Sequence, residues 1–321
     1  MEWYTIVVTL GLFSLWCATN AILSLCAWII SFADIPTMFN GTSLKNILTA
    51  LHIPSGFANM LCLLPNVVVA IVYYMFKLPE WTGGRCHWFW DYQRRVHFNM
   101  HEFDPPCKTK DVIYLYATFP HGLYATTTMV HFVVNEVHLD VVTAATSVMF
   151  WIPGLRELAC LGGVIPANSH DIVEQLDAGK HVALVPEGLR GLFHNDNEGT
   201  LALLDTRKGF IRCALGSSNV DRIAIVPVHM DGERNLNRIW LPWPWLQKKL
   251  LSRFYYPWPV FSWGLWWLGF WPRSTSVNVR YGNPIPVDGK TVDQVHAEFM
   301  NQVERLLEPL EQAVDLSEQE T

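Results

Sequence analysis

The chain of 321 residues is long enough for one sizeable α/β domain with a small appended element. Half of the residues are apolar, only 16% are charged and the mean hydropathy is +0.17, values that are unusual for a soluble domain and indicate contact with lipid. The net charge of −6 argues against nucleic acid as a partner, because no basic surplus exists to neutralise phosphates along a strand.

The first part of the chain, residues 1–80, is predicted to be a membrane anchor. Two apolar runs, residues 3–32 and 57–76, each reach the roughly 20 residues that a helix needs to cross a hydrocarbon core. Lys77, Arg85, Arg94 and Arg95 follow the second run, so we expect that side to be cytosolic. The two segments either span the bilayer or re-enter it. Asn40-Gly41-Thr42, between them, has the pattern of a glycosylation sequon.

The rest of the chain, residues 81–321, has the pattern of an α/β domain. Short apolar runs of strand length alternate with helical patterns, which implies a mostly parallel sheet covered by helices on both faces. The predicted strands are 112–118, 141–150, 181–185, 223–229 and 276–281, and the predicted helices are 123–137, 169–178, 208–216 and 292–316.

The cysteine and histidine patterns predict neither a metal site nor a bound cofactor. The seven cysteines form no Cys-x-x-Cys pair and are odd in number, which indicates no zinc ribbon and no disulfide framework. His97 and His101 have i, i+4 spacing but lack the glutamate that lies between the ligands of a zinc protease. We therefore expect reduced thiols and a catalytic portion in a reducing compartment.

Residues 240–273 form a tryptophan-rich insert within this domain. Eight tryptophans lie there, with lysines and arginines around them, and the repeated prolines Pro242, Pro244, Pro257 and Pro259 prevent a single long helix. Indole rings prefer the headgroup level of a membrane, and neighbouring lysines can extend to the same depth. We interpret the insert as membrane-docking. The alternative is a tryptophan-rich core subdomain.

His121 is the candidate catalytic base. It follows the predicted strand 112–118 directly, and ligands bind at the carboxyl ends of parallel strands. A neutral imidazole can take a proton from an alcohol as the alcohol oxygen attacks a thioester. Pro120 stiffens the approach and Gly122 permits a tight turn into the next helix. A structural histidine is the alternative.

Glu187 and Arg190 follow the predicted strand 181–185 in the same way. Glu187 is expected to orient His121 or to stabilise the imidazolium that forms. Arg190 is expected to bind a phosphate, either of coenzyme A or of the acceptor, through its planar guanidinium. The alternative is a surface turn with a solvated charge pair.

Four blocks along residues 65–315 share one family pattern. They are Phe119-Pro120-His121-Gly122; Pro153-Gly154-Leu155-Arg156-Glu157 with Gly162-Gly163-Val164-Ile165-Pro166; Thr206-Arg207-Lys208-Gly209-Phe210-Ile211-Arg212-Cys213-Ala214-Leu215 followed by Ile225-Val226-Pro227-Val228-His229-Met230-Asp231-Gly232-Glu233; and Gly282-Asn283-Pro284-Ile285-Pro286-Val287. Together they resemble the diacylglycerol acyltransferase type 2 family, which includes monoacylglycerol and wax-ester synthases.

The resemblance implies an acyltransferase fold and an O-acyltransferase that uses acyl-CoA as a co-substrate. The acceptor would be a neutral lipid hydroxyl from the bilayer, and the enzyme would lie in the endoplasmic reticulum membrane or on lipid droplets, with its catalytic domain facing the cytosol. By position, His121 would be the catalytic histidine and Glu187 its acidic partner. Arg207 and Lys208 fall in a basic motif, and their charge suggests a place near the coenzyme A phosphates.

Two departures from the family pattern leave alternatives open. Phe119 replaces the first histidine of the His-Pro-His-Gly block, and residues 186–190 resemble the Pro-Glu-Gly-Thr-Arg of glycerophospholipid acyltransferases. Those relatives carry a His-x4-Asp motif, whereas Thr126 stands at that position here. A lysophospholipid or glycerol-phosphate acyltransferase and a catalytically silent lipid-binding protein are therefore the alternatives. Whether the protein forms a homo-oligomer is also left open.

Overall fold

The structure, a computed structural model, describes residues 98–103, 111–122, 125–134, 141–151, 156, 159–160, 163–194, 196–254, 261–263, 273 and 275–308. The chain divides into two units, Met1–Pro79 with Pro153–Glu157, and Glu80–Ile152 with Leu158–Thr321. The predicted anchor and the Asn40 sequon lie outside the described residues. None of the helices that the structure describes combines the length and the apolar character needed to cross a bilayer.

The second unit is built on a mixed sheet of eight strands. The strands of the unit are β1 Phe98–Phe103, β2 Ile113–Phe119, β3 Val141–Ala145, β4 Ile165–Pro166, β5 His181–Leu184, β6 Ile223–Asp231, β7 Arg238–Trp240, β8 Phe261–Trp263, β9 Thr275–Tyr281 and β10 Ile285–Pro286. The sheet has the order β1-β9-β6-β2-β5-β3-β4, with β10 paired to β6, while β7 and β8 form a separate antiparallel pair.

The parallel centre of the sheet determines where functional side chains gather. β2 lies between β5 and β6 and is parallel to both. Only the pairs that β6 makes with β9 and with β10 are antiparallel within this sheet. Since parallel strands end at the same edge, the segments that follow β5, β2 and β6 emerge side by side.

The described part of the chain contains six α-helices. They are α1 Thr126–Val134, α2 Ser169–Asp177, α3 Asn197–Asp205, α4 Gly209–Leu215, α5 Pro244–Phe254 and α6 Val292–Leu307. Side chains of β2 alternate between two buried clusters: Leu115 packs with residues of α2, α4 and α6, and Tyr116 packs with residues of α1. Because alternate side chains of a strand point to opposite faces, both faces of the sheet are covered.

The predicted α/β architecture, a mostly parallel sheet flanked by helices, is confirmed. The predicted strand 141–150 is wrong beyond Ala145, because residues Ser147–Trp151 form a 3-10 turn. The N–H of Met149 donates to the carbonyl of Thr146 at 3.0 Å, and Phe150 is still buried. The apolar run therefore continues into the core after the strand has ended, and a short buried run does not reveal its secondary structure.

Candidate active site

His121 lies just beyond the end of β2, at the edge of the sheet where β5 and β6 also end. Glu187 follows β5 and Glu233 follows β6. The parallel pairing of β2 with β5 and β6 brings these three side chains together, although 66 residues separate His121 from Glu187 in sequence. The topology thus assembles one histidine and two buried carboxyl groups.

Glu187 contacts the main chain at His121. Its Oε2 atom accepts a hydrogen bond from the backbone N–H of His121 at 3.2 Å, and its side chain has no exposed surface. The other oxygen, Oε1, has no hydrogen-bond partner among the described residues. Glu187 therefore contacts the segment that carries the imidazole through its backbone, and its role in orienting His121 stays a prediction.

The His121 ring is buried and contacts the carbonyl of its neighbour. Its Nδ1 atom lies against the carbonyl oxygen of Gly122. Since a carbonyl can only accept, this contact assigns the proton to Nδ1 and leaves Nε2 as the acceptor. Burial lowers the pKa of the imidazole below 6.5, and the positive charge of Arg234 acts in the same direction. The ring is therefore neutral at neutral pH, which is the form that a base requires.

Burial shifts the pKa of Glu187 in the direction opposite to its effect on the pKa of His121. It raises the pKa of the carboxyl group to about 7, while the hydrogen bond from the His121 N–H and the charge of Arg234 oppose the rise. A carboxyl group of this pKa exchanges its proton near neutral pH. Perturbed groups of this kind, together in one place, are typical of functional sites.

Glu233 is a residue of the site to which the sequence patterns assigned no role. Its Oε2 atom accepts the backbone N–H of Thr127 at 2.9 Å, in the first turn of α1. A Cβ atom at Gly122 would lie 3.0 Å from the carbonyl oxygen of Glu233, so the small residue permits the close approach of these two segments. Gly232 has a φ of 100°, and a side chain there would meet the carbonyl of Ser276 at 2.4 Å.

A cavity of about 690 Å³ opens beside His121. No acidic side chain lines it among the described residues, and three arginines do. The lining residues are His121, Gly122, Gly191, Leu192, His194, Arg234, Asn235, Asn237, Arg238, Ile239, Arg273 and Thr275. The size suits a small-molecule ligand, and the base candidate forms part of the wall.

Comparison with known proteins identifies the family. The model of the diacylglycerol acyltransferase family matches residues 58–321, which is most of the chain. The chain belongs to the diacylglycerol acyltransferase family. It is an acyltransferase of class 2.3.1, and it acts in glycerolipid metabolism.

Curated relatives and a solved structure are also similar to this acyltransferase. Diacylglycerol O-acyltransferase 2-like protein 6 of Homo sapiens is 25% identical over 281 residues, which cover 76% of this chain and 81% of the relative. The protein of the same name from Bos taurus is 25% identical over 286 residues, covering 78% and 83%. The crystal structure of the 1-acyl-sn-glycerophosphate acyltransferase from Thermotoga maritima shares 13% identity, with a TM-score of 0.42 over 69% of this chain and 78% of that chain.

Of the seven predicted site residues of the acyltransferase, two line the cavity and five do not. His121 and Gly122 line the cavity. The basic residues Arg190, Arg207 and Lys208 lie outside its lining. Lys208 pairs with Asp293 at 2.7 Å, and the pKa of Arg207 is lowered first by burial and then by the charge of Arg190. The phosphate-binding role that the sequence suggests for these three residues, and the role of Pro120, stay predictions.

The raised pKa of Glu187 predicts a pH-dependent stability that Glu187→Gln should remove. The folded state keeps a proton that the unfolded state releases above about pH 4.5, so the free energy of unfolding falls as pH rises from there to about 7. The total loss is about 3 kcal/mol. The stability of Glu187→Gln relative to the unsubstituted enzyme should therefore increase by that amount between pH 4.5 and pH 8, measured by denaturant unfolding in detergent.

Glu304→Gln, on the exposed face of α6, is the matched control for this measurement. It should show no such change over the same pH range, since an exposed carboxyl group keeps similar surroundings in both states. A pH-independent difference between Glu187→Gln and the unsubstituted enzyme would contradict the assignment.

Proposed function

We propose that the acyltransferase transfers the acyl group of an acyl-CoA to the hydroxyl group of a neutral lipid, with His121 as general base. The observation that carries the proposal is the buried, neutral imidazole in the wall of the cavity, at the carboxyl end of β2. Membership of the family supports a lipid acceptor and an acyl thioester donor. Diacylglycerol, monoacylglycerol or a fatty alcohol would provide the hydroxyl.

The proposed reaction is a direct transfer without a covalent enzyme intermediate. Nε2 of His121 takes the proton of the acceptor hydroxyl as its oxygen forms a bond to the thioester carbonyl carbon. The bond between that carbon and sulfur then breaks, and the thiolate of coenzyme A takes the proton from the imidazolium. Most of the rate enhancement would come from holding the two substrates in line and from stabilising the oxyanion.

The two glutamates of the site support this chemistry from either side of β2. Glu187 holds the backbone of His121, and its ionised form would favour the transient imidazolium. Glu233 accepts the N–H of Thr127 at the start of α1, so this donor is already used and does not serve the oxyanion. Glu187 thus contacts the His121 segment from the side of β5, and Glu233 contacts the start of α1 from the side of β6.

A transfer to a phosphorylated acceptor is the second candidate. The arginines in the cavity favour it, since guanidinium groups bind phosphate well. A panel of acceptors separates the two candidates. The purified full chain is assayed with labelled acyl-CoA and one acceptor at a time. The neutral acceptors are diacylglycerol, monoacylglycerol and fatty alcohol, and the phosphorylated acceptors are lysophosphatidate and glycerol 3-phosphate. We expect ester products from the neutral acceptors. Products from the phosphorylated acceptors alone would reverse the choice, and no release of coenzyme A with any acceptor would indicate a silent lipid-binding protein.

We also propose that the enzyme docks on the membrane through the surface formed by β7 and α5. Trp240, Trp243 and Trp245 are 54%, 53% and 69% exposed, and Lys248 lies on the same helix as Trp245. Half-exposed indoles beside lysines suit the headgroup layer. This surface adjoins the cavity, because β7 also provides lining residues. The acceptor would therefore enter from the bilayer, as the predicted anchor and the proposed location on the endoplasmic reticulum or lipid droplets require.

Replacing Trp240, Trp243 and Trp245 together by alanine should slow transfer to a long-chain diacylglycerol in reconstituted vesicles by about tenfold, since three apolar anchors are lost. Transfer to a short-chain, water-dispersed diacylglycerol should keep its rate. Phe103→Ala, which removes an exposed aromatic ring from the edge strand β1, is the control. An equal loss with both acceptors would show that the tryptophans act on the fold or the chemistry and not on docking.

A further inference from the structure

Three arginines of the cavity, Arg234, Arg238 and Arg273, come from separate segments: the turn after β6, the first residue of β7, and the segment before β9. The whole chain carries a net charge of −6, so their collection at one cavity is not a sign of a generally basic surface. Within the described residues, none of the three forms an ion pair. Arg238 and Arg273, which have no carboxylate within ion-pair distance among the described residues, are therefore available to an anionic ligand.

Backbone contacts hold the segments that carry Arg238 and Arg273 at the cavity, and a side-chain hydrogen bond holds Arg234. The backbone N–H of Arg273 donates to the carbonyl of Leu236 at 2.9 Å, and Arg238 pairs with Trp263 in the strand pair of β7 and β8. The Nη2 atom of Arg234 donates to the hydroxyl of Thr200 at 2.5 Å. The guanidinium of Arg234 is therefore preorganised, which reduces the conformational freedom lost on binding. Arg238 and Arg273 are exposed residues whose backbone is held at the cavity.

Arg234 lies in the field of two carboxyl groups of the chain, those of Glu187 and Asp196. The pKa of this guanidinium is lowered by burial, and the carboxyl groups of Glu187 and Asp196 only partly oppose that effect. Burial raises the pKa of the Glu187 carboxyl group to about 7, so its negative charge is only partial at neutral pH. Three like charges around one cavity repel one another, and a bound anion would remove this cost.

We propose that Arg234, Arg238 and Arg273 form a phosphate-binding wall that takes the nucleotide phosphates of the acyl-CoA donor beside His121. This inference rests on the proposed function. Coenzyme A carries a diphosphate and a 3′-phosphate, which guanidinium groups bind through paired hydrogen bonds. A neutral acceptor offers no phosphate. Lys208, the cation that the sequence suggests for this role, is already paired with Asp293.

The wall is tested with Arg238→Gln and Arg273→Gln in the full chain, with Arg305→Gln on the exposed face of α6 as the control. Arg234 is left unchanged because it lies near Glu187. The KM for acyl-CoA should rise about tenfold in each variant, which is about 1.4 kcal/mol, and kcat should change little. An acyl-pantetheine thioester has no nucleotide phosphates, so its KM should be the same in the variants and in the unsubstituted enzyme.

The same variants show which substrate provides the phosphate. An unchanged KM for acyl-CoA in an active enzyme would overturn the proposal. So would an increase confined to the KM of lysophosphatidate, which would assign the wall to the acceptor. Equilibrium binding of coenzyme A by titration calorimetry keeps the test separate from the proposed function. An inactive enzyme that binds coenzyme A about tenfold more weakly in the two variants would refute the proposed reaction and still support the wall.

Discussion

Replacing His121 by alanine is expected to lower kcat for acyl transfer by about 10²- to 10⁴-fold, the contribution of a positioned general base. The imidazole is buried and neutral, and it lines the cavity at the carboxyl end of β2. His194 also lines the cavity, but of these two histidines only His121 follows the carboxyl end of β2 directly. The KM for acyl-CoA should change little, because the proposed role of the ring is confined to the transition state.

The measurement is a rate with labelled acyl-CoA and diacylglycerol, using purified variants at equal abundance. His121→Gln keeps a hydrogen-bonding side chain without a basic nitrogen, and it should be as inactive as the alanine variant. His170→Gln, at the exposed start of α2, is the matched control and should be fully active. A folded His121→Ala enzyme with more than about a tenth of the normal rate would eliminate His121 as the base.

Gly191→Ala should remove most of the activity, although it replaces no residue that takes part in the reaction. A Cβ atom at this position would lie 2.4 Å from Oε2 of Glu187, the atom that accepts the N–H of His121, and 3.2 Å from the Cβ atom of Glu187. The carboxyl group must therefore move and release the His121 segment. Misplacing a base by about 1 Å lowers the rate by about 100-fold, and overpacking a buried site destabilises the fold by about 1–3 kcal/mol.

Gly209→Ala is the control for this substitution. A Cβ atom at Gly209 would have no atom within 4 Å, and the residue does not have a positive φ, so the variant should keep its activity and stability. Rates and denaturant midpoints of both variants are compared. If Gly191→Ala unfolds at the normal denaturant concentration and transfers acyl groups at the normal rate, then the Glu187 contact does not position His121.

Much of the fold follows from the sequence because strand–helix alternation leaves few topologies. The runs that became β2, β5 and β6 are strongly apolar, and their helical connections require parallel pairing. His121 and Glu187 each follow such a run directly, so their approach at one edge of the sheet could be predicted. The edge strand β1 could not, since its sequence Phe-Asn-Met-His-Glu-Phe has no long apolar run.

The remaining parts of the site depend on contacts that no local pattern encodes. Glu233 lies in a family block, but its function follows from the position of Thr127, 106 residues away in sequence. Arg238 and Arg273 become neighbours of the cavity only through the pairing of β7 with β8 and the contact with Leu236. The sequence predicts that Glu187 orients His121 or stabilises its imidazolium, whereas the contact with the His121 backbone depends on the exact turn after β5.

The separate pairing of β7 with β8 has a consequence for how this enzyme evolves. Among the described strands, these two pair only with each other and not with the large sheet, which carries the base. Substitutions in β7 can therefore alter which molecules are accepted while the proton-transfer apparatus keeps its geometry. Divergence among homologues that differ in substrate should concentrate in this strand pair, and the same pair is the place to start when the enzyme is redesigned for a new alcohol.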